Sequence, residues 1–296
     1  MLRWLLLRAY RLPSRPSPPE PASLGLHAED RTLCAEDGSR LRAWLVAPPP
    51  DAATHRPGPA VVLTHGWGSH SGDLLPVVPP LLAAGLTVLL LDVRGHGRSD
   101  TVEFMSMPRF AADIEVALDE LRADPNIDPD RLGLVGHSVG AGASLLAAAR
   151  DPRVGAVVSL ACLAHPAELM ARTPGARLLP TRLLAAARRT VETTIAADLD
   201  DIAPLTSITR GRSPVLLVHG LDDTTVPPTD ATRLADRGLQ AGRPVALRLI
   251  AGADHRSLDT LLPVAAEAAA FLRRSLEPTL RPVSPVRDVA GGPPLA

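Results

Sequence analysis

A serine set between two glycines, Gly136-His137-Ser138-Val139-Gly140, follows the apolar run Arg131-Leu132-Gly133-Leu134-Val135 and precedes a small-residue, helix-like run from Ala141 to Arg150. Strand, cramped turn and helix in that order put the serine hydroxyl above the edge of a sheet. The flanking glycines leave room for neighbouring backbone to pass closely, and the turn forces the serine into a strained conformation. The helix that follows presents its N-terminus, which favours negative charge beside the hydroxyl. A chain that carries this element needs a buried central strand covered by helices. A neutral hydroxyl is a poor nucleophile, so the rest of the chain is searched for a base, a carboxylate and donors for an oxyanion.

The flanking sequence supplies the sheet. Arg31–Glu36 and Leu41–Ala47, around the turn signal Asp37-Gly38, predict a hairpin. Apolar runs at Ala60–Thr64, Leu86–Leu91, Val154–Leu160, Pro214–Val218 and Val245–Ile250 predict further strands. Helical spacing appears around Leu74–Ala84, at Pro108–Ala123 and at Ala265–Leu276. Continuous apolar strands alternating with helices predict a mostly parallel central sheet with helices on both faces, and the hairpin adds antiparallel strands at one edge. An apolar content of 46% over 296 residues is enough to bury a large core without staples.

Four segments stand apart from this alternation. Residues 1–24 predict a flexible or peripheral arm, and Leu2, Leu5, Leu6 and Ala9 on one helical face offer a weak membrane contact. Residues 25–276 form the main domain, and within it 163–212 interrupts the strand–helix order. There Leu183, Ala187, Val191 and Ile195 fall four apart, which predicts a helix in a small cap over the serine's end of the sheet. Arginines 172, 177, 182, 188 and 189 make its first part basic, either as a solvated face or as a preference for anionic acyl groups. Residues 277–296, rich in Pro and Gly, predict a disordered tail.

Nine histidines compete for the role of base. His137 adjoins Ser138 and cannot turn its ring back onto the hydroxyl, whereas His255, in the loop after the last strand, can reach across the sheet end. His65, His96 and His219 sit at strand ends, and His65 and His137 are read as lining the substrate site. Asp222 and Asp223 follow another strand and precede His255, giving the chain order Ser, Asp, His. Asp254 adjoins the proposed base and is read as orienting its loop. The amide after the serine, Val139, and that of Trp67 in His65-Gly66-Trp67-Gly68-Ser69 are the expected oxyanion donors.

Together His65-Gly66-Trp67-Gly68, Asp92-Val93-Arg94-Gly95-His96-Gly97-Arg98-Ser99, Gly136-His137-Ser138-Val139-Gly140, His219-Gly220-Leu221-Asp222-Asp223-Thr224-Thr225-Val226-Pro227 and Gly252-Ala253-Asp254-His255 resemble the α/β-hydrolase family, over roughly Arg31 to Leu276. The short segment before the Asp223 strand looks like the small caps of serine aminopeptidase-like and ester-hydrolysing members. The resemblance implies an α/β-hydrolase fold with a small helical cap insertion. It selects Asp223 over Asp222, since the family's acid stands third after the His-Gly pair and two residues before Val-Pro. It implies a Ser138–His255–Asp223 triad cleaving a carboxylic ester, with peptidase, thioesterase and non-catalytic ligand binding as alternatives on the same residues. A serine at the nucleophile position counts against dehalogenases.

Composition narrows the rest. All 31 basic residues are arginine, so a lysine Schiff base and a Walker A phosphate loop are excluded. A net charge of −1 gives no electrostatic case for nucleic acid. Cys34 and Cys162, far apart, are expected to be buried small apolar residues rather than a disulfide or metal ligands. No metal or organic cofactor is implied, the expected partner is a small-molecule ester, and the expected location is cytoplasmic.

Overall fold

The computed structural model describes residues 19–49, 57–172, 180–255, 262–277 and 287–289. Its nine strands are β1 (Glu29–Cys34), β2 (Arg40–Val46), β3 (Gly58–Thr64), β4 (Thr87–Asp92), β5 (Ile127–His137), β6 (Val154–Leu160), β7 (Val215–Gly220), β8 (Val245–Ile250) and β9 (Arg287–Val289). They form one sheet in the order β1-β2-β4-β3-β5-β6-β7-β8-β9. Among the described residues only the β1/β2 and β2/β4 pairs are antiparallel. The predicted hairpin is thus the antiparallel edge, with Leu33 opposite Leu41.

The helices are α1 (Val78–Ala83), α2 (Met107–Ala123), α3 (Val139–Arg150), α4 (Pro166–Arg172), α5 (Thr181–Ile195), α6 (Pro204–Arg210), α7 (Pro228–Gln240) and α8 (Leu262–Ser275). The prolines at 76, 79 and 80 shape the first helical segment. A 3₁₀ stretch, Ser71–Val77, precedes α1, because Pro76 removes a donor an α-helix there would use.

Both faces of the sheet are apolar because alternate residues of one strand point to opposite sides. Ala60 and Val62 of β3 join Phe110 and Ile114 of α2, Leu145 of α3 and Leu234 of α7. Val61 and Leu63 join Leu74 and Leu75 of the 3₁₀ stretch, Leu81 of α1, and Phe271 and Leu272 of α8. Burying a Leu or Phe of this kind is worth about 1.5–3 kcal/mol. This double burial is why the strands read as continuous apolar runs.

The segment expected to form the cap divides in two. Leu199, Ile202, Ala203 and Ile208 are buried in the main core, so the chain rejoins the domain before α6. α4 and α5 contain no buried residue. On α5 the apolar stripe is split, for Val191 and Ile195 pack against the core while Leu183 is 51% exposed.

Two further expectations are corrected. Cys162 is buried but Cys34 is exposed, because β1 is an edge strand whose alternate side chains face solvent. Within the tail expected to be disordered, Arg287–Val289 extend the sheet as β9, pairing parallel with the otherwise open edge of β8. Of the N-terminal arm, Pro21–Leu24 form a 3₁₀ turn, and the proposed membrane-contacting face lies outside the described residues. Among the described residues no helix is long and apolar enough to cross a membrane.

Candidate active site

Register brings the site together. Thr64 pairs with Gly136, His137 with Leu160, and Gly220 with Ile250. The loops that leave β3, β5, β7 and β8 therefore open on one rim of the sheet, the carboxyl end where α/β sheets bind ligands.

Ser138 occupies the turn between β5 and α3 with φ 55° and ψ −118°, a region sparsely populated by residues with a Cβ. Its amide is tied to the Leu160 carbonyl at 2.8 Å, and its own carbonyl accepts from Ala141. Both flanking glycines are required by close approach. A Cβ on Gly136 would lie 2.3 Å from the Gly140 carbonyl oxygen, and one on Gly140 would lie 2.3 Å from that of His65. The tight turn is thus clamped against the end of β3.

From this turn a relay of hydrogen bonds crosses the rim. Ser138 Oγ lies 3.0 Å from His255 Nε2, and His255 Nδ1 lies 2.7 Å from Asp223 Oδ2. With the carboxylate accepting at Nδ1, the imidazole carries its hydrogen there and leaves Nε2 to accept from the serine. Gly220 lets the two loops meet, since a Cβ there would lie 2.2 Å from the Ala253 carbonyl. Asp223 is buried, while Asp222 is exposed with its amide on the Ala253 carbonyl.

Asp223 is held from all sides. Oδ1 accepts from the amides of Thr225 at 2.9 Å and Val226 at 2.8 Å, and Oδ2 faces both His255 and His219 Nε2, the latter at 3.2 Å. Burial alone would push its carboxyl up. Hydrogen bonds from His219, His255 and the Val226 amide outweigh that and hold it well below the ordinary carboxylate range.

The two histidines expected to line the substrate site do something else. His65 is fully buried. The Val93 amide donates to its Nε2 at 3.3 Å, which places its hydrogen on Nδ1, toward the Gly66 carbonyl at 2.8 Å. Burial pulls its pKa down to about 4, so it stays neutral and ties the loop after β3 to the loop after β4. His137 is 8% exposed, and its Nε2 bonds the His255 carbonyl at 2.9 Å. Burial first, and then the neighbouring His255 ring, lower it to about 4. His65 is a support, because both its ring nitrogens are spent on the protein, and His137 spends its Nε2 on the loop of His255.

The loop expected to supply an oxyanion donor lies against Ser138, as a Cβ on Gly66 would sit 3.1 Å from Ser138 Cβ. The Gly68 amide donates to His96 Nε2 at 3.1 Å. The Trp67 ring stacks near Phe110 at 6.3 Å, and His96 meets Phe110 edge-on at 5.2 Å. Asp92, fully buried, accepts from the Ser71 amide at 2.7 Å and the Arg98 amide at 3.1 Å. The Asp92–Ser99 motif therefore braces the loop rather than reacting. Val139 heads α3, and the first amides of a helix lack intrahelical acceptors.

A family model described as serine aminopeptidase, S33, matches residues 55–203, half of the chain. The chain belongs to this family. It is a hydrolase family of the α/β-hydrolase superfamily, and the fold agrees: an esterase from Pyrococcus furiosus, Pf2001, superposes with a TM-score of 0.71 at 19% identity, over 90% of this chain and 98% of that one. Among curated relatives, the thiohydrolase apmlB of Arthrinium phaeospermum is 35% identical over 127 residues, 42% of this chain and 39% of that protein. The polyketide transferase af380 of Aspergillus fumigatus is 34% identical over 143 residues, 47% of each chain. The matched region thus spans less than half the length of these relatives. Members of one such fold differ in the bond they cleave, so family alone does not name the substrate.

Sequence reasoning missed what His219 and His96 hold. Their signal was position: each stands at or just beyond the end of a buried strand and precedes a glycine, where a turning backbone needs an internal partner, an acceptor for the Gly68 amide from His96 and a donor to the Val226 carbonyl from His219.

Proposed function

We propose that the chain is a serine hydrolase that cleaves a carboxylic ester through an acyl-enzyme intermediate. The observation that carries this reading is the strained Ser138 with its hydroxyl 3.0 Å from His255, itself 2.7 Å from a buried Asp223.

In this mechanism His255 Nε2 takes the Ser138 proton as Oγ attacks the ester carbonyl carbon. The amides of Trp67 and Val139 receive the charge that develops on the carbonyl oxygen, each such donor being worth about 3 kcal/mol. His255, now an imidazolium beside Asp223, gives its proton to the departing alcohol as the carbon–oxygen bond breaks. Water then loses a proton to His255 and adds to the acyl carbon. Collapse returns the proton to Ser138 and releases the carboxylic acid.

A second reading, an acyl-thioester as substrate, is supported by relatives named as thiohydrolases. It uses the same steps with a thiol as leaving group. The family's name keeps a peptide bond as a third possibility. We place the reaction in the cytoplasm, a reading supported by Cys34 and Cys162 both being free thiols.

A fluorophosphonate probe tests the class of function. Wild type is expected to label at Ser138 and Ser138→Ala not at all, whereas a non-catalytic ligand binder labels in neither. Rates on p-nitrophenyl esters of graded chain length, acyl-thioesters and peptide anilides then decide the bond. Preference for the anilides would overturn the ester reading.

A further inference from the structure

Asp223 shares its Oδ2 between two histidines, and only one of them touches the nucleophile. His219 ends β7, fully buried, four residues before Asp223. Its Nε2 lies 2.9 Å from the Val226 carbonyl and 3.2 Å from Asp223 Oδ2. Both neighbours are acceptors, so Nε2 carries the ring hydrogen and shares it between them. The other nitrogen, Nδ1, is buried without a hydrogen-bond partner. This tautomer is thus the one the surroundings satisfy best, and the ring presents a fixed N–H edge to the loop 221–226.

We propose that His219 is a positioning residue for the acid of the proposed triad. It anchors the Val226 carbonyl, so that the Thr225 and Val226 amides stay on Oδ1, and its N–H draws part of the charge on Oδ2 away from His255. The proposal rests on Ser138, His255 and Asp223 acting as proposed above. It assigns this residue two effects that a packing role does not have.

The first effect is geometric. Without the anchor the turn 221–226 loosens, so that the Thr225 and Val226 amides hold Oδ1 less firmly and Asp223, still in contact with His255, is positioned less rigidly. The second is electrostatic. A carboxylate relieved of one donor stabilises the His255 imidazolium more strongly. The acid limb of kcat/KM must then move to higher pH, because the base has to be deprotonated to act.

His219→Met fills the site without a donor, whereas His219→Gln keeps an N–H near the place of Nε2. We expect the Met variant to lose about tenfold in kcat and to move the acid limb up by roughly half a unit. The Gln variant should recover most of both. In parallel, NMR of protein labelled at histidine Cε1, with the His255 signal identified by its loss in His255→Asn, reads the His255 midpoint without turnover. It should rise in the Met variant and stay near wild type in the Gln variant. Equal losses in both folded variants with unmoved midpoints would reduce His219 to packing and overturn the proposal. A wild type that labels with no fluorophosphonate and hydrolyses nothing defeats the functional reading instead, and the NMR midpoints then still decide whether His219 tunes the Asp223–His255 pair.

Discussion

His137 Nε2 lies 2.9 Å from the backbone carbonyl of His255, a residue 118 positions away, so the side chain next to Ser138 holds the loop of His255. The ring centroids are 5.2 Å apart and tilted by 45°. With Nε2 donating, Nδ1 faces the Gly66 region of the neighbouring loop. One side chain thereby joins the loop after β5 to the loop after β8.

Removing that bond should misplace His255 without unfolding the domain. His137→Ala is expected to lower kcat by about 10- to 100-fold, the cost typical of displacing a reacting group by an ångström. His137→Gln retains a donor near Nε2 and should recover much of the loss. Steady-state kinetics of the two variants checks this. Equal activity of His137→Ala and wild type would show the bond to be idle.

The same ring and His65 make the fold sensitive to acid. Both have pKa values lowered from 6.5 to about 4 in the folded state, chiefly by burial. The unfolded chain therefore binds more protons between those values, so stability is full above about pH 6.5 and falls as pH drops toward 4. At pH 5 each group should cost about 2 kcal/mol relative to pH 7. Urea unfolding at the two pH values measures the loss. His137→Gln should reduce the pH dependence by the share of one group.

Gly140→Ala isolates the packing of the Ser138 turn. The new Cβ would lie 2.3 Å from the His65 carbonyl and 2.6 Å from that of Thr64. Backbone on both sides cannot yield cheaply, so a loss of roughly 2–4 kcal/mol is expected. A drop in Tm with slowed phosphonate labelling of Ser138 is the expected outcome. An unchanged Tm would contradict the close approach.

How much of this was legible in the sequence follows from what each signal depends on. The strands over Ala60–Thr64 and Val154–Leu160 were readable because burial on both faces leaves no charged residue to interrupt them. Ser138 and His255 were readable because chain order and loop position constrain which side chains can meet; the same constraints left Asp222 and Asp223 open, and the family resemblance selected the one that meets His255. The role of His65 was not, since a histidine at a strand end looks the same in sequence whether it faces a ligand or a buried amide. Nor was the fate of α5. Its apolar residues recur every four positions along the whole helix, yet only Val191 and Ile195 reach the core. The edge pairing of Arg287–Val289 depends on β8 being left open, a property of topology rather than of local composition.

The choice between adjacent carboxylates is open to a direct comparison. Asp223→Asn should lower kcat by about 10⁴-fold if it fixes the His255 tautomer as the acid does in serine proteases. Asp222→Asn, at an exposed position whose amide rather than side chain holds the turn, should cost little. Comparable losses in the two variants would mean that the 2.7 Å contact between Asp223 and His255 does not govern the reaction.

The segment expected to form the cap is tied to the main domain by ion pairs as well as by the apolar contacts of Leu169, Met170, Val191 and Ile195. Arg172 of α4 reaches Asp230 of α7 through both guanidinium arms, at 3.0 and 3.1 Å, and Glu168 takes both arms of Arg233 at 2.7 Å. At the neck, His165 Nε2 lies 2.9 Å from Asp200, which also pairs with Arg188 at 2.8 Å. Arg172 and Arg188 are therefore engaged within the protein, which removes two of the arginines read as a site for anionic acyl groups. Asp230 is only 1% exposed and also accepts from the Ala164 amide, so it is the fixed point of the clasp. Since Arg172 is 28% exposed, releasing it should cost about 1–2 kcal/mol rather than the larger penalty of a fully buried pair. In Asp230→Asn, amide exchange across Pro166–Arg172 should quicken about tenfold while that of α3 stays unchanged, as only α4 loses its tether. Short-chain esters should turn over as before, and bulkier ones should show a changed KM. Hydrogen exchange in α4 that matches wild type at low and at high salt would mean that Leu169 and Met170, not the ion pairs, hold the cap in place.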